Sequence, residues 1–192
     1  LIKVFLNLLF AQRKNNIYVK LKNIYSIKIG KVEEYLREFS NSNFNLEAKC
    51  GEKSFKRKLY STFISYLPTR KFSYVLNENR DTRGNFVEVT KNSAGQHSYF
   101  TAYPNIVRGG HYHHSKVEKF LILKGKAEFT FKNIASNRVY KLKVNSRENK
   151  IVFSIPGWAH KIKNIGNDEM IVFLWSCEVY SKKDPDTFNY KI

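Results

Sequence analysis

Two stretches decide how this chain is read: Gly110-His111-Tyr112-His113-His114-Ser115-Lys116-Val117-Glu118, closed by Gly125, and farther on Pro156-Gly157-Trp158-Ala159-His160-Lys161-Ile162-Lys163-Asn164. All five histidines of the chain lie between His97 and His160. Side chains two apart on a strand face the same way, so His111 and His113 can both aim into a barrel while Tyr112 points outward. A short turn over His114 to Val117 returns Glu118 beside them, and a turn at Gly125 sends the chain on antiparallel. The Pro156-Gly157 corner starts another inner strand, which supplies His160. Three imidazole nitrogens and one carboxylate oxygen suit zinc, iron, manganese, cobalt or nickel, with positions left open for water or substrate. A lone histidine is ordinarily a surface residue or a hydrogen-bonded core residue. The joint spacing H-x-H-x4-E-x6-G followed by P-G-x2-H-x3-N is what sets these apart. Strand parity turns His114 away from the site, unless the turn begins early.

The sequence around these windows predicts a mainly β protein. From Phe72 the apolar period is two, giving candidate strands at Phe72–Val75, Phe86–Thr90, Gln96–Ala102, Arg108–His113, Glu118–Leu123, Lys126–Phe131, Arg138–Val144, Lys150–Phe153, His160–Asn164 and Met170–Val179. Turn residues fall at Asp81–Gly84, Asn92–Gly95, Lys124-Gly125 and Gly166–Asp168. Many short strands at regular spacing, with no helix among them, point to an all-β sandwich or barrel. Upstream the period is helical: Ile29–Phe39 carries Val32, Tyr35, Leu36 and Phe39, and Phe55–Leu67 carries Leu59, Phe63 and Leu67 before Pro68. The expected organisation is therefore a helical segment over 1–71 and a β domain over 72–192.

The formal net charge is +18, from 34 Lys plus Arg against 16 Asp plus Glu. Such a balance favours a polyanionic partner. Yet the basic residues are scattered singly, as in Lys20, Lys22, Lys28 and Lys31, without an Arg-rich arm or a block of like charge, which argues against nucleic-acid binding. They read as solvated surface positions, some of which draw in a diphosphate-bearing substrate. Cys50 and Cys177 stand alone and read as free thiols in a reducing compartment. The apolar opening Leu1–Ala11 is interrupted by Lys3 and Asn7 and is too short to span a bilayer, so no membrane association is expected. The start at Leu1 fits a piece of a longer polypeptide or a misplaced initiator.

Several runs together carry a resemblance: Gly95–Ala102 (GQHSYFTA), Arg108–Phe120 (RGGHYHHSKVEKF), Ile155–His160 (IPGWAH) and Asn164–Met170 (NIGNDEM), with Trp175. They resemble the C-terminal cupin domain of the CapF/WbjC family, and Lys58–Pro68 (KLYSTFISYLP) is similar to that family's linker into the cupin. The similarity runs from about Phe55 to Ile192. It implies a cupin jelly roll, the double-stranded β-helix barrel, behind a short helical segment. It further implies zinc, or another divalent metal, on His111, His113, Glu118 and His160, and a cytoplasmic enzyme of capsular polysaccharide or O-antigen precursor synthesis.

In that family the cupin epimerises C3 of a UDP-linked 4-keto-6-deoxy-N-acetyl amino sugar on the route to UDP-N-acetyl-L-fucosamine, and a reductase domain then reduces the ketone with NADPH. Removing a proton beside a ketone builds charge on its oxygen, which a metal with an open position stabilises. Lys119, Tyr112, His97 and His114 are the candidate proton carriers. The chain departs from the family in one respect. No glycine precedes Gly30, so the glycine-rich dinucleotide loop is missing, and the Y-x-x-x-K spacings Tyr18 to Lys22 and Tyr112 to Lys116 have no nucleotide fold around them. No NADPH is expected here, and ketone reduction falls to a partner reductase domain. Aromatic-rich strands suit a homodimer. The competing readings are a non-catalytic cupin that binds metal and sugar nucleotide or docks a reductase, and a different cupin activity such as a sugar isomerase or an iron dioxygenase.

Overall fold

The computed structural model describes residues 2–10, 21, 24–41, 54–92 and 94–192. These fall into two compact units, 1–34 and 35–192. The division lies inside a helix, whereas the change from helix to strand comes later, after Lys71. The first unit holds α1 (Ile2–Leu9) and the start of α2 (Ile29–Asn41). No helix among the described residues is long and apolar enough to cross a membrane. Tyr18, Lys22 and Cys50 lie outside the described residues.

In the second unit, the rest of α2 meets α3 (Phe55–Ser65) through the apolar positions that its helical spacing predicts. Phe39 is fully buried, with its ring 5.1 Å from Tyr60 and 5.8 Å from Phe63. Lys56 Nζ closes the pair by donating to both carboxylate oxygens of Glu38, at 2.6 and 2.8 Å. Ser54 caps α3 by accepting from the Arg57 N–H. Pro68, lacking a donor, stands just past its end.

Among the described residues, eleven strands then form two antiparallel sheets. The six-stranded sheet runs β1 (Glu78–Asp81), β2 (Gly84–Asn92), β3 (Gly95–Ala102), β10 (Met170–Ser176), β5 (Glu118–Lys124), β8 (Ile151–Ser154). The five-stranded sheet runs β11 (Phe188–Asn189), β4 (Val107–Tyr112), β9 (Trp158–Asn164), β6 (Lys126–Asn133), β7 (Val139–Asn145). Strands far apart in sequence are neighbours in both sheets, as a jelly roll requires. Alternate residues of each strand point between the sheets, where Phe100, Phe120, Ile122, Phe129, Val144, Ile162, Met170 and Val172 make one buried cluster. Each such side chain contributes about 1.5–3 kcal/mol by leaving water.

The structure departs from the expected strands in two places. Phe72–Val75 is not a strand: Phe72 and Val75 are exposed, and the first strand is instead the polar Glu78–Asp81. The two-residue turn between Asp81 and Gly84 sets that hairpin's register, so turn chemistry and not hydrophobicity chose the strand. The second departure is β11, which pairs Phe188 with Tyr112 and Asn189 with His111 and brings the C-terminal segment to the histidine strand.

Candidate metal centre

His111 is the penultimate residue of β4, His113 follows the strand, Glu118 opens β5 and His160 sits on β9, where it is the cross-strand partner of His111. Each of the four offers one ligand atom, and these atoms all lie within 4.8 Å of one another. The His111 ring is 4.6 Å from that of His160 and 5.0 Å from that of His113. Glu118 Oε2 lies 3.1 Å from His113 Nε2 and 3.4 Å from His160 Nε2.

Groups behind the rings set their orientation. His113 Nδ1 meets the backbone carbonyl of Asp186, which only accepts, so Nδ1 carries a hydrogen and Nε2 is turned toward Glu118. At 3.1 Å from the carboxylate that nitrogen donates a hydrogen bond to Glu118 when protonated, and when neutral it offers a lone pair beside it. That is the chemistry of a metal-binding donor set. His160 Nδ1 is 2.8 Å from Ser154 Oγ, again leaving Nε2 to face the centre.

The electrostatics agree. Burial pushes the pKa of His160 down to about 3, with Glu118 opposing and His111 and His113 adding to the fall. Burial also lowers His111, against the pull of Glu118. Both are therefore neutral ligands over the physiological range. Burial acts to lower His113 too, but the hydrogen bond and charge of Glu118 outweigh it and leave the pKa raised. Burial would raise Glu118, yet the His113 hydrogen bond and then the His160 charge hold it below the usual carboxylate range.

The four residues line a cavity of about 240 Å³ together with Phe86, Glu88, Gln96, Ser98, Phe100, Arg108, Lys116, Leu174, Glu178, Tyr180 and Thr187 among others. None of the expected proton carriers lines it. Lys119 is one residue out of phase with Glu118, and its Nζ lies 4.7 Å above the Trp175 ring on the outer face. Tyr112 alternates with His111 and His113, and stacks on Phe188 at 5.4 Å. His97 alternates with the inward Gln96 and Ser98, and stacks on Phe173 at 5.8 Å. His114 packs against Phe188 at 4.6 Å, turned away from the four as parity expects.

Asp186 is the residue that the sequence reading missed. Its carboxylate accepts from the N–H groups of His114, Ser115 and Lys116 at 2.8, 2.9 and 2.8 Å and from Ser115 Oγ at 2.8 Å. These bonds, led by the backbone donor of His114, overcome burial and hold the Asp186 carboxyl well below the usual range. Lys116 Nζ donates to the Pro185 carbonyl at 2.6 Å and to Thr187 Oγ1 at 3.2 Å. The segment 184–189 thus clamps the ligand turn from outside. The only sequence signal for it is the turn-forming Asp184-Pro185-Asp186.

Comparison with known proteins identifies the family. The family model described as the polysaccharide biosynthesis C-terminal domain matches residues 79–188. A UDP-2-acetamido-2,6-beta-L-arabino-hexul-4-ose reductase of Pseudomonas aeruginosa is 42% identical over 188 residues, covering 97% of this chain and 50% of the relative. The capsular polysaccharide assembling protein CapF from Staphylococcus aureus superposes with a TM-score of 0.86 at 30% identity, covering all of this chain and 56% of CapF. CapF with the inhibitor 3-isopropenyl-tropolone gives 0.87 at 29% identity, with the same coverage. The chain spans about half the length of the relatives it matches. With its β region matched by the family model and its whole length superposed on CapF, the chain belongs to the polysaccharide biosynthesis C-terminal domain family, as a cupin domain of the CapF/WbjC kind.

Proposed function

We propose that this cupin epimerises C3 of a UDP-linked 4-keto-6-deoxy-N-acetyl amino sugar in the cytoplasm, using zinc held by His111, His113, Glu118 and His160. The observation that carries the reading is the set of four ligand residues, three buried and His111 half-buried, whose ligand atoms lie close together and line an open cavity. Bound there, zinc supplies Lewis-acid stabilisation of charge that develops on the sugar's ketone oxygen. The name of the Pseudomonas aeruginosa relative identifies a UDP-linked 4-keto deoxy amino sugar as that protein's substrate, which is the class proposed here.

The cavity walls supply the remaining parts. Phe86, Phe100, Phe120 and Leu174 keep water from the sugar ring. The proton leaving C3 must pass to a group lining the cavity. Glu178 and Tyr180 stand there with Lys116 between them, its Nζ 3.5 Å from Glu178 Oε1 and 5.9 Å from the Tyr180 ring centre. We assign proton transfer to this cluster rather than to Lys119, Tyr112 or His97. Reduction of the ketone by NADPH lies with a reductase domain outside the cupin.

The outer face of the six-stranded sheet gives those three residues another setting. Cross-strand rows His97, Trp175, Lys119, Phe153 and Tyr99, Phe173, Leu121, Ile151 make it largely apolar and suit a homodimer, a state that sedimentation equilibrium reads directly.

Epimerisation is tested by incubating zinc-loaded protein with the keto sugar nucleotide in heavy water and following deuterium at C3 by NMR. The expected outcome is exchange at C3 that stops when the metal is chelated. No exchange by zinc-loaded protein would sink the reading.

A further inference from the structure

Arg108 stands three residues before His111, and on a regular strand the two would face opposite ways. They do not. The pairing of β4 with β9 shifts register between Gly109 and His111, so that Arg108 lies opposite Ile162 and His111 opposite His160. Ile162 and His160 are two apart and both face inward. The bulge therefore brings Arg108 onto the metal face, about 7 Å along the strand from His111. Glycine is what permits it. Gly109 and Gly110 have φ of +86° and +90°, and a Cβ on Gly109 would sit 2.8 Å from the His160 carbonyl oxygen.

The Arg108 guanidinium so placed lines the cavity, and its side chain is only 12% exposed. Among the described residues its one hydrogen-bond partner is Asp81, at a long 3.4 Å. That carboxylate is already taken: Arg83 holds it at 2.6 and 3.0 Å through its guanidinium and at 2.8 Å through its backbone N–H. The other cation of the wall, Lys116, spends its ammonium on Pro185 and Thr187. Glu88 is bound to Gln96 and Lys91. Arg108 is thus a largely buried cation, packed over the Phe100 ring at 5.5 Å, whose planar fork of donors lines a cavity with one long hydrogen bond to satisfy it. Such a group is built for a phosphate oxyanion.

We infer that Arg108 is the phosphate anchor of the cavity, gripping the sugar-linked phosphate of the nucleotide while the ketone end of the sugar reaches the histidines. The inference rests on the sugar-nucleotide reading above and adds the residue that sets the substrate's direction.

The test titrates zinc-loaded protein with UDP-N-acetylglucosamine, whose diphosphate has no free end to reach the metal, and with uridine. Wild type should bind the sugar nucleotide at least tenfold more tightly than uridine. R108M should erase that difference, a loss of roughly 10- to 100-fold, while uridine binding and zinc content stay as in wild type. R108K keeps the charge without the fork and should recover only part of the difference. It also reads the same quantity should R108M fail to fold. Unchanged sugar-nucleotide binding in both variants, or a wild type with no preference over uridine, overturns the assignment. Failure here is distinct from failure of the epimerase reading. Exchange at C3 by wild type with unaltered binding by R108M removes only the anchor. Arg108-dependent binding without exchange removes only the epimerase.

Discussion

The two ends of the barrel interior are built by the same strands and hold opposite chemistry. On β5 the inward residues run Glu118, Phe120, Ile122; on β9 they run His160, Ile162, Asn164; on β10 they run Ser176, Leu174, Val172, Met170. Within two or three rungs the interior passes from imidazole and carboxylate to closely packed hydrocarbon, with buried Asn164 as the polar exception, its Nδ2 donating to the Ala102 and Asp168 carbonyls. The apolar end stabilises the fold by burying Phe129, Met170 and Val172 almost completely. The polar end works against it, because Glu118 and His160 are drawn out of water with each other and with other buried polar groups as partners. Alternation decides only which residues enter the barrel. Residue type along each row decides which end is structure and which is site. The two ends touch, since the Phe120 and Phe131 rings lie 5.6 and 6.5 Å from that of His160.

The sharpest way to break this division is at its apolar end. Phe129 is fully buried between the sheets. Phe129→Ala should cost about 3–5 kcal/mol, from lost burial and the cavity left behind, and lower Tm by about 10 °C. Zinc affinity of the folded fraction should change little. A thermal melt and a competitive zinc titration on the same variant check both. A loss of zinc affinity in proportion to the loss of stability would show that the two ends are one cooperative unit.

The reverse pattern is expected at the polar end. Asp186→Ala removes four hydrogen bonds that hold the turn between His113 and Glu118, and frees the carbonyl that fixes the His113 ring. Zinc affinity should fall roughly 100-fold, the upper range for losing a group behind a ligand. Tm of the metal-free protein should move far less than in Phe129→Ala, because Asp186 is only half-buried and is not part of the core between the sheets. A large drop in metal-free Tm would mean that the clamp belongs to the fold rather than to the site.

Much of this division could be read from sequence, for identifiable reasons. The period of two over β2 to β10 and the spacing of His111, His113, Glu118 and His160 are local facts, and strand parity turns them directly into a barrel with its ligands inside. Parity also carried the means to place Lys119, Tyr112 and His97 outward. Each is one residue out of phase with an inward neighbour, but the family resemblance drew attention to their chemistry instead. What was not legible depends on contacts far apart in the chain. Asp186 meets His114 across the C-terminal return, and β11 is too short and too exposed to leave a periodic trace. The bulge at Gly109-Gly110 hides Arg108 from any simple count, because it breaks the alternation on which the count depends.

The smallest expected effect sharpens the comparison most finely, because Ser154 belongs to both ends. It is fully buried on β8 beside Val152, yet its hydroxyl touches His160 Nδ1. A hydroxyl both donates and accepts, so unlike the Asp186 carbonyl behind His113 it does not by itself force the His160 tautomer. Ser154→Ala should therefore lower zinc affinity only by roughly tenfold, the low end for such a partner, while leaving His160 Nδ1 buried with one bond fewer. Competitive zinc titration measures the affinity, and the imidazole nitrogen shifts of His160 in NMR report which tautomer the ring adopts. If the affinity loss equals that of Asp186→Ala, the hydroxyl fixes the ring as firmly as a carbonyl does. If there is none, packing of His160 against Phe120 and Phe131 orients the ring, and the apolar end shapes the metal site directly.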